Sequence, residues 1–356
     1  MFLEVLLLDL GKKKGHLVLA HETASSSFSS FSLIQCGCNG DVVEPITTAN
    51  FSMVLSGLQD EVASKFEPKK KSSLELSEVY KALDMLNRSH RVSECGSFLE
   101  YRVTEQEKKL HKANFCKDRL CPMCNWRRSL KIFGQVSRIM DKLEKDDYKF
   151  LFLTLTVKNC SAESLPETVQ VLFDGWRKMY HKKGVFKNSV SGSFRSLEVT
   201  RNARTGLFHP HLHVILAVRS DYFSGRHYIK QADWSSLWRS CCDLDYDPII
   251  DIRKIKPCSK GLSGAVAEVS KYAVKSTDFL KGSMAAKVDY VSAFLSALSG
   301  RRLCSFTGCF QKVRKQLALD DVESGDLVNV QADELREDVA YMVVRYCWRA
   351  GVYVRE

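Results

Sequence analysis

The sequence predicts an α+β fold, an antiparallel sheet with helices covering one face, on three observations. The segments FLFLTLTV at 150–157, SFRSLEVT at 193–200 and FHPHLHVIL at 208–216 alternate apolar and polar residues, the period of half-buried strands. Residues 164–180 between the first two segments repeat at helical spacing. The chain has 356 residues, 45% of them hydrophobic, enough for two or three compact units with a real core.

Residues 1–75 carry the least pattern and form an unassigned N-terminal extension. Glu4 and Asp9 interrupt the apolar opening MFLEVLLLDLG, and no basic flank precedes it, so it does not read as a signal peptide. No later run approaches the length of a membrane span. TASSSFSSFS at 23–32 reads as a linker, EPKKKSS at 67–73 as a charged break, and Cys36 and Cys38 as an isolated pair. Residues 76–147 form a basic, helical segment with a cysteine-rich knot.

From 148 the pattern changes. In the first strand Leu153, Leu155 and Val157 share one face, Thr154 and Thr156 the other. Ser164 and Glu167 suggest a capping box, followed by Leu165, Val169, Leu172, Phe173, Trp176 and Tyr180 at helical spacing. In the second strand Leu197 and Val199 oppose Ser196, Glu198 and Thr200. After the histidine strand, a helix is expected at 230–242 and a strand at 248–255. A further helix is expected at 264–280, and AYMVVRYCWRAGVYV reads as a strand or hairpin. Residues 148–285 thus form the main domain, and 286–356 a C-terminal segment.

The formal charge of +11 favours a polyanionic partner. Thirteen cysteines, an odd number with no secretory signal, argue against a disulfide framework and for a reducing, cytoplasmic setting.

Chemistry concentrates in two places. His211 and His213 share one strand face, the opposite one to Leu212 and Val214, which suits a metal site open to substrate. Glu198 on the preceding strand is the best third ligand, and a carboxylate beside imidazoles favours Mg²⁺ or Mn²⁺. The alternative for Glu198 is a surface ion pair with Arg195 or Arg201. His209, just before Pro210, is an outer group of the site or a loop residue. In EVSKY at 268–272, helical spacing puts Glu268 and Tyr272 on one face. Tyr272 is the candidate nucleophile for phosphodiester chemistry, and Glu268 a general base for water. Lys271 and Lys275 are placed to clamp a phosphate or depress the phenol.

The second place is CKDRLCPMC at 116–124. Cys116, Cys121 and Cys124 have spacing typical of structural zinc, with Cys95 as the fourth ligand and His111 as second choice. Trp126, Arg127 and Arg128 follow directly, an aromatic and basic group suited to nucleic acid; the alternative is a solvated helix face with Trp126 buried.

In this order the segments CGSFLEY, ANFCKDRLCPMCNWRRSLK, FLTLTVKN, SLEVTRN, HPHLHVIL, EVSKYAVKS, GRRLCSFTGCF and LDDVESGDLV resemble the replication initiator (Rep) proteins of small bacterial rolling-circle plasmids, within the HUH endonuclease superfamily. The resemblance covers about residues 88–330. It implies a ferredoxin-like sheet preceded by a zinc-stapled helical segment. It also implies a site-specific nickase that attacks the plasmid's double-strand origin through Tyr272 and keeps a 5′-phosphotyrosine bond. The freed 3′-OH would prime synthesis, and Glu268 with water would end the round. The origin DNA would be single-stranded or an extruded hairpin. The chain has no P-loop motif, so unwinding would fall to a host helicase. Two rival readings are an HUH transposase or relaxase, and a non-catalytic zinc DNA-binding regulator.

Overall fold

A computed structural model of the chain describes residues 48–104, 107–182, 184–202, 204–224, 228–256, 259–271, 279–330 and 341–356. The apolar opening, the Ser-rich stretch, Cys36, Cys38, Tyr272 and Lys275 lie outside the described residues. The chain folds as two compact units, each built on its own antiparallel sheet.

The helical run at the start comprises α1 (Thr48–Glu61), a π-helical turn (Val62–Phe66) and α2 (Glu67–Ala82). EPKKKSS, expected as a break, is therefore helical. Pro68 lacks an N–H and would clash in an unbroken α-helix; the wider turn just before it relieves both problems.

One unit holds the four-stranded sheet of β1 (Phe98–Val103), β2 (Lys108–Ala113), β8 (Met342–Arg349) and β9 (Val352–Arg355), in the order β2-β1-β8-β9. Leu99, Tyr101 and Val103 alternate into its core with Val344, Tyr346 and Tyr353. Phe66 packs edge-on against Tyr101 and Tyr353 at centroid distances of 6.4 and 6.5 Å. β8 and β9 form the hairpin expected for the tail. Its turn residues Ala350 and Gly351 have φ of 50° and 89°, the left-handed pair that a two-residue turn between right-twisted strands requires. The reading of 76–147 as a helical segment misses β1 and β2; the other partner of β1, β8, lies some 240 residues away.

The other unit contains α3 (Leu86–Ser93), α4 (Pro122–Lys145), β3 (Lys149–Thr156), α5 (Leu165–His181), α6 (Val185–Ser189), β4 (Val190–Arg201) and β5 (Phe208–Val218). It continues through α7 (Gln231–Cys241), β6 (Ile250–Lys254), α8 (Ser259–Val269), α9 (Met284–Leu298), β7 (Cys304–Thr307) and α10 (Gly308–Gln316). Its strand order is β6-β3-β5-β4-β7 with every pair antiparallel. The succession β3-α5-β4-β5-α7-β6 with β6-β3-β5-β4 side by side is the split-βαβ, ferredoxin-like arrangement.

α5 covers the face of Leu153, Leu197 and Leu212, all fully buried, and the Arg195 guanidinium lies 4.3 Å from the Phe173 ring. α8 packs against β5 and α10 against β4, so the two central strands are buried on both faces. The expected capping box is not formed. Ser164 is the N-cap of α5, but its hydroxyl bonds Ser161 at 3.1 Å and makes no cap bond; Pro166 in the first turn presets the helix instead. Among the described residues no helix is long and apolar enough to cross a membrane.

Candidate active site

Register assembles the site. On β5, His211 stands opposite Glu198 of β4 and Thr156 of β3, and His213 stands opposite Ser196 and Thr154. Two cross-strand rows on one face therefore bring both imidazoles and one carboxylate together. His213 Nε2 lies 2.9 Å from Glu198 Oε2, His211 Nε2 lies 3.4 Å from the same oxygen, and the two Nε2 atoms are 3.1 Å apart. All three residues are buried.

The far side of each imidazole is held. His211 Nδ1 meets the His209 carbonyl at 3.1 Å and must donate to it, which turns Nε2 toward Glu198 and His213. His213 Nδ1 lies 3.3 Å from Thr154 Oγ1. Two imidazole nitrogens and a carboxylate oxygen thus converge on one point, a donor set suited to a cation. The triangle edges match a divalent ion: ligands about 2.1 Å from a metal stand roughly 3.0–3.4 Å apart. Burial works against ionising Glu198, but the hydrogen bonds and charge of the two imidazoles outweigh it and hold the carboxyl well below the usual range.

The surface ion pair considered for Glu198 is not what holds it. Arg195 points to the opposite sheet face and donates to the Leu303 and Arg302 carbonyls, and Arg201 lies over the Tyr290 ring at 3.6 Å. His209 belongs to β5 rather than a loop, and its Nδ1 meets Asn159 Oδ1 at 2.7 Å.

α8 brings Glu268 to the same centre, with Oε1 3.6 Å from His213 Nε2 and ion-paired to Lys271. Ser196 Oγ donates to the Val269 carbonyl at 2.7 Å, tying the end of α8 to the strand beside the imidazoles. The described helix ends at Val269, short of the expected 280, and Tyr272 and Lys275 fall outside the described residues.

The Sγ atoms of Cys95, Cys116, Cys121 and Cys124 lie within 4.8 Å of one another, a four-thiol set suited to a tetrahedral ion. His111 is not in the cluster and sits on β2. Two backbone amides donate to the sulfurs: Cys116 N to Cys95 at 3.4 Å and Lys117 N to Cys124 at 3.2 Å. Cys121 caps α4 and Cys124 is in its first turn, where the helix dipole favours thiolate.

The residues that follow do not face outward. Arg127 and Arg128 are buried, and their donors go to the carbonyls of Leu327, Val328, Glu323, Asp118 and Lys117. Lys131 likewise bonds Asp320 and the Asp326 carbonyl. The basic stripe of α4 therefore staples the 320–328 strap. The Trp126 ring lies 5.4 Å from the Arg127 guanidinium. Asp118, which the motif reading passed over, is buried and accepts from Tyr80 at 2.9 Å and Arg88 at 2.5 Å.

Residues 107–354 match the family model described as replication protein. "Protein rep" of Bacillus amyloliquefaciens is 38% identical over 311 residues, covering 80% of this chain and 91% of that protein. "Protein rep" of Streptococcus pneumoniae serotype 2 (strain D39 / NCTC 7466) is 39% identical over 267 residues, 73% of this chain and 82% of that one. A "Replication protein" of Staphylococcus aureus is 33% identical over 236 residues, 64% and 98% of the two chains. No solved structure matches the chain. With its ferredoxin-like core, its buried Glu–His–His triangle and these similarities, the chain belongs to the replication protein (Rep) family.

Proposed function

We propose that this Rep protein initiates rolling-circle replication of a plasmid by nicking one strand of its double-strand origin. The single observation that carries the reading is the buried triangle of Glu198, His211 and His213 on a ferredoxin-like sheet, with Glu268 beside it. These three side chains would hold Mg²⁺ or Mn²⁺, which when bound polarises the scissile phosphate. The four cysteines would hold structural Zn²⁺.

Tyr272 is the nucleophile in this reading. It follows Lys271 directly in the chain, and Lys271 is ion-paired to Glu268 at the imidazoles. The phenolic oxygen bonds to phosphorus as the P–O3′ bond breaks. The phenol loses its proton, and the 3′ oxygen gains one to leave as a 3′-OH. One phosphodiester is exchanged for another, so no external energy source is needed. Glu268 then takes a proton from the water that cleaves a second phosphate and ends the round. Lys271 and Lys275 contribute positive charge for the phosphate. The DNA strand must be unpaired to enter, as in an extruded hairpin. Unwinding would fall to a host helicase.

The test is incubation of supercoiled DNA carrying the gene and its flanks with the purified protein and Mn²⁺. Wild type is expected to give an open circle with protein bound to the 5′ end, mapped to Tyr272 by mass spectrometry. Tyr272→Phe is expected to give neither. Adduct formation by that variant would remove the nucleophile assignment.

A further inference from the structure

β5 carries a third imidazole on the face of the Glu–His–His triangle. His209 precedes His211 by two residues, so strand alternation puts both rings on one side of the sheet, 5.0 Å apart and tilted by 31°. His209 is not a member of the triangle itself. It stands at the rim, half-buried, where the buried pair of Glu198 and His211 gives way to the pair of Thr200 and His209.

The chain builds a partner for it. The Cys160 N–H donates to the Phe208 carbonyl at 2.9 Å, and the Phe208 N–H donates to the Cys160 carbonyl at 2.8 Å. These two bonds lay the segment after β3 along the start of β5. Asn159 is thereby set beside His209, with Oδ1 2.7 Å from Nδ1. An amide oxygen only accepts, so Nδ1 carries a proton and the tautomer is set. Half-burial disfavours the charged ring, which leaves a lone pair on Nε2. Among the described residues Nε2 has no hydrogen-bond partner.

A lone pair at this place selects what it can meet. Phosphate oxygens are acceptors and gain nothing from it. The donors of an unpaired strand are the N–H groups on its base edges. Two residues of a strand span about 6.6 Å, so His209 reaches the nucleotide that flanks a phosphate held at the triangle.

We propose that His209, held in its tautomer by Asn159, is a specificity-determining residue whose Nε2 accepts a hydrogen bond from the exocyclic amino group of the unpaired base beside the scissile phosphate. The proposal rests on the reading of the chain as an enzyme that nicks origin DNA. It gives Asn159 a part in choosing the site. Thymine carries no amino group and is disfavoured at that position.

The probes are overlapping single-stranded oligonucleotides tiled across the DNA that flanks the gene. Fluorescence anisotropy of the full chain finds the tile bound most tightly. In that tile each adenine, cytosine and guanine is replaced in turn by purine, 2-pyrimidinone or hypoxanthine, which lack the amino group. Wild type is expected to lose about tenfold in affinity at one position. His209→Phe keeps a ring beside His211 and the backbone carbonyl that His211 Nδ1 meets. Its Tm and Mn²⁺ affinity should therefore hold while the penalty at that position vanishes. Asn159→Asp keeps the accepting oxygen and should keep the penalty, whereas Asn159→Leu should shrink it. Equal binding of every analogue by wild type would overturn the proposal, as would a penalty unchanged in His209→Phe or a fall in that variant's Mn²⁺ affinity. Covalent adduct is read on the same tile. Adduct without an amino-group penalty would reject the base contact and spare the nickase. A penalty lost in His209→Phe, without adduct, would do the reverse.

Discussion

Replacing Arg128 by alanine separates a structural from a DNA-contacting role for the basic stripe on α4. The side chain is 2% exposed. Its Nε donates to the Glu323 carbonyl at 3.2 Å, Nη1 to the Asp118 carbonyl at 2.9 Å and to Asn125 Oδ1 at 3.2 Å, and Nη2 to the Lys117 carbonyl at 2.5 Å. Truncation leaves three backbone carbonyls short of a donor, each costing about 1 kcal/mol or more where water cannot reach, besides the lost packing. The total is about 3 kcal/mol, at the low end for breaking a buried charged network. In a unit of this size that is a fall of roughly 6–12 °C in Tm. Differential scanning fluorimetry reads it directly. Two of those carbonyls belong to the loop between Cys116 and Cys121, where Lys117 has a φ of 58°. The variant should therefore also release zinc faster to a chromogenic chelator. A role in DNA contact predicts the opposite pattern: an unchanged Tm and a salt slope shallower by about one. A variant that melts with wild type but binds duplex more weakly would refute the stapling argument.

Two further perturbations probe the two metal-ligand sets. Thr154→Val keeps the shape of the side chain but removes the 3.3 Å contact to His213 Nδ1; Mn²⁺ affinity by calorimetry should drop about 10–100-fold, and an unchanged affinity would show that Thr154 does not orient the imidazole. Cys95→Ser should lower the zinc content of purified protein and make its Tm insensitive to chelator, whereas full retention of zinc would exclude Cys95 as a ligand.

Local periodicity made the antiparallel strands of the core legible, and the family resemblance supplied their ferredoxin-like order. Each strand of β3, β4 and β5 carries its own alternation, and the shared face of Thr154, Glu198, His211 and His213 follows from parity alone. The four-stranded sheet was hidden because β1 pairs with a strand near the other end of the chain, and no local pattern encodes that register. The partners of the α4 cations were hidden for a related reason. WRRSLK displays its charges, but three of the carbonyls that accept from Arg127 and Arg128 lie about 195–201 residues downstream. A sequence window shows donors and not their distant acceptors. Asp118 had a weak signal: an acid between two zinc-type cysteines is placed to organise the turn, and its bond to the Leu120 amide at 2.8 Å does so.

The placement of the ligands explains why the centre sits on β4 and β5. These are interior strands of the sheet, paired on both sides and buried on both faces. Backbone pairing fixes the Cα separation of Glu198 and His211, and Thr154 and the His209 carbonyl fix the rings, so little conformational entropy remains to be lost when a cation arrives. Glu268 differs in kind. It is 39% exposed, stands 3.6 Å from His213, and comes from the end of α8, where the Ser196 hydroxyl donates to the Val269 carbonyl. The rigid triangle suits holding a charge in one place through successive cleavages. The more exposed carboxylate on its tethered helix suits a proton acceptor that must meet a different water or phosphate each time. Under the proposed nicking function, the interior-strand Glu198 would therefore serve permanent binding and Glu268 turnover chemistry.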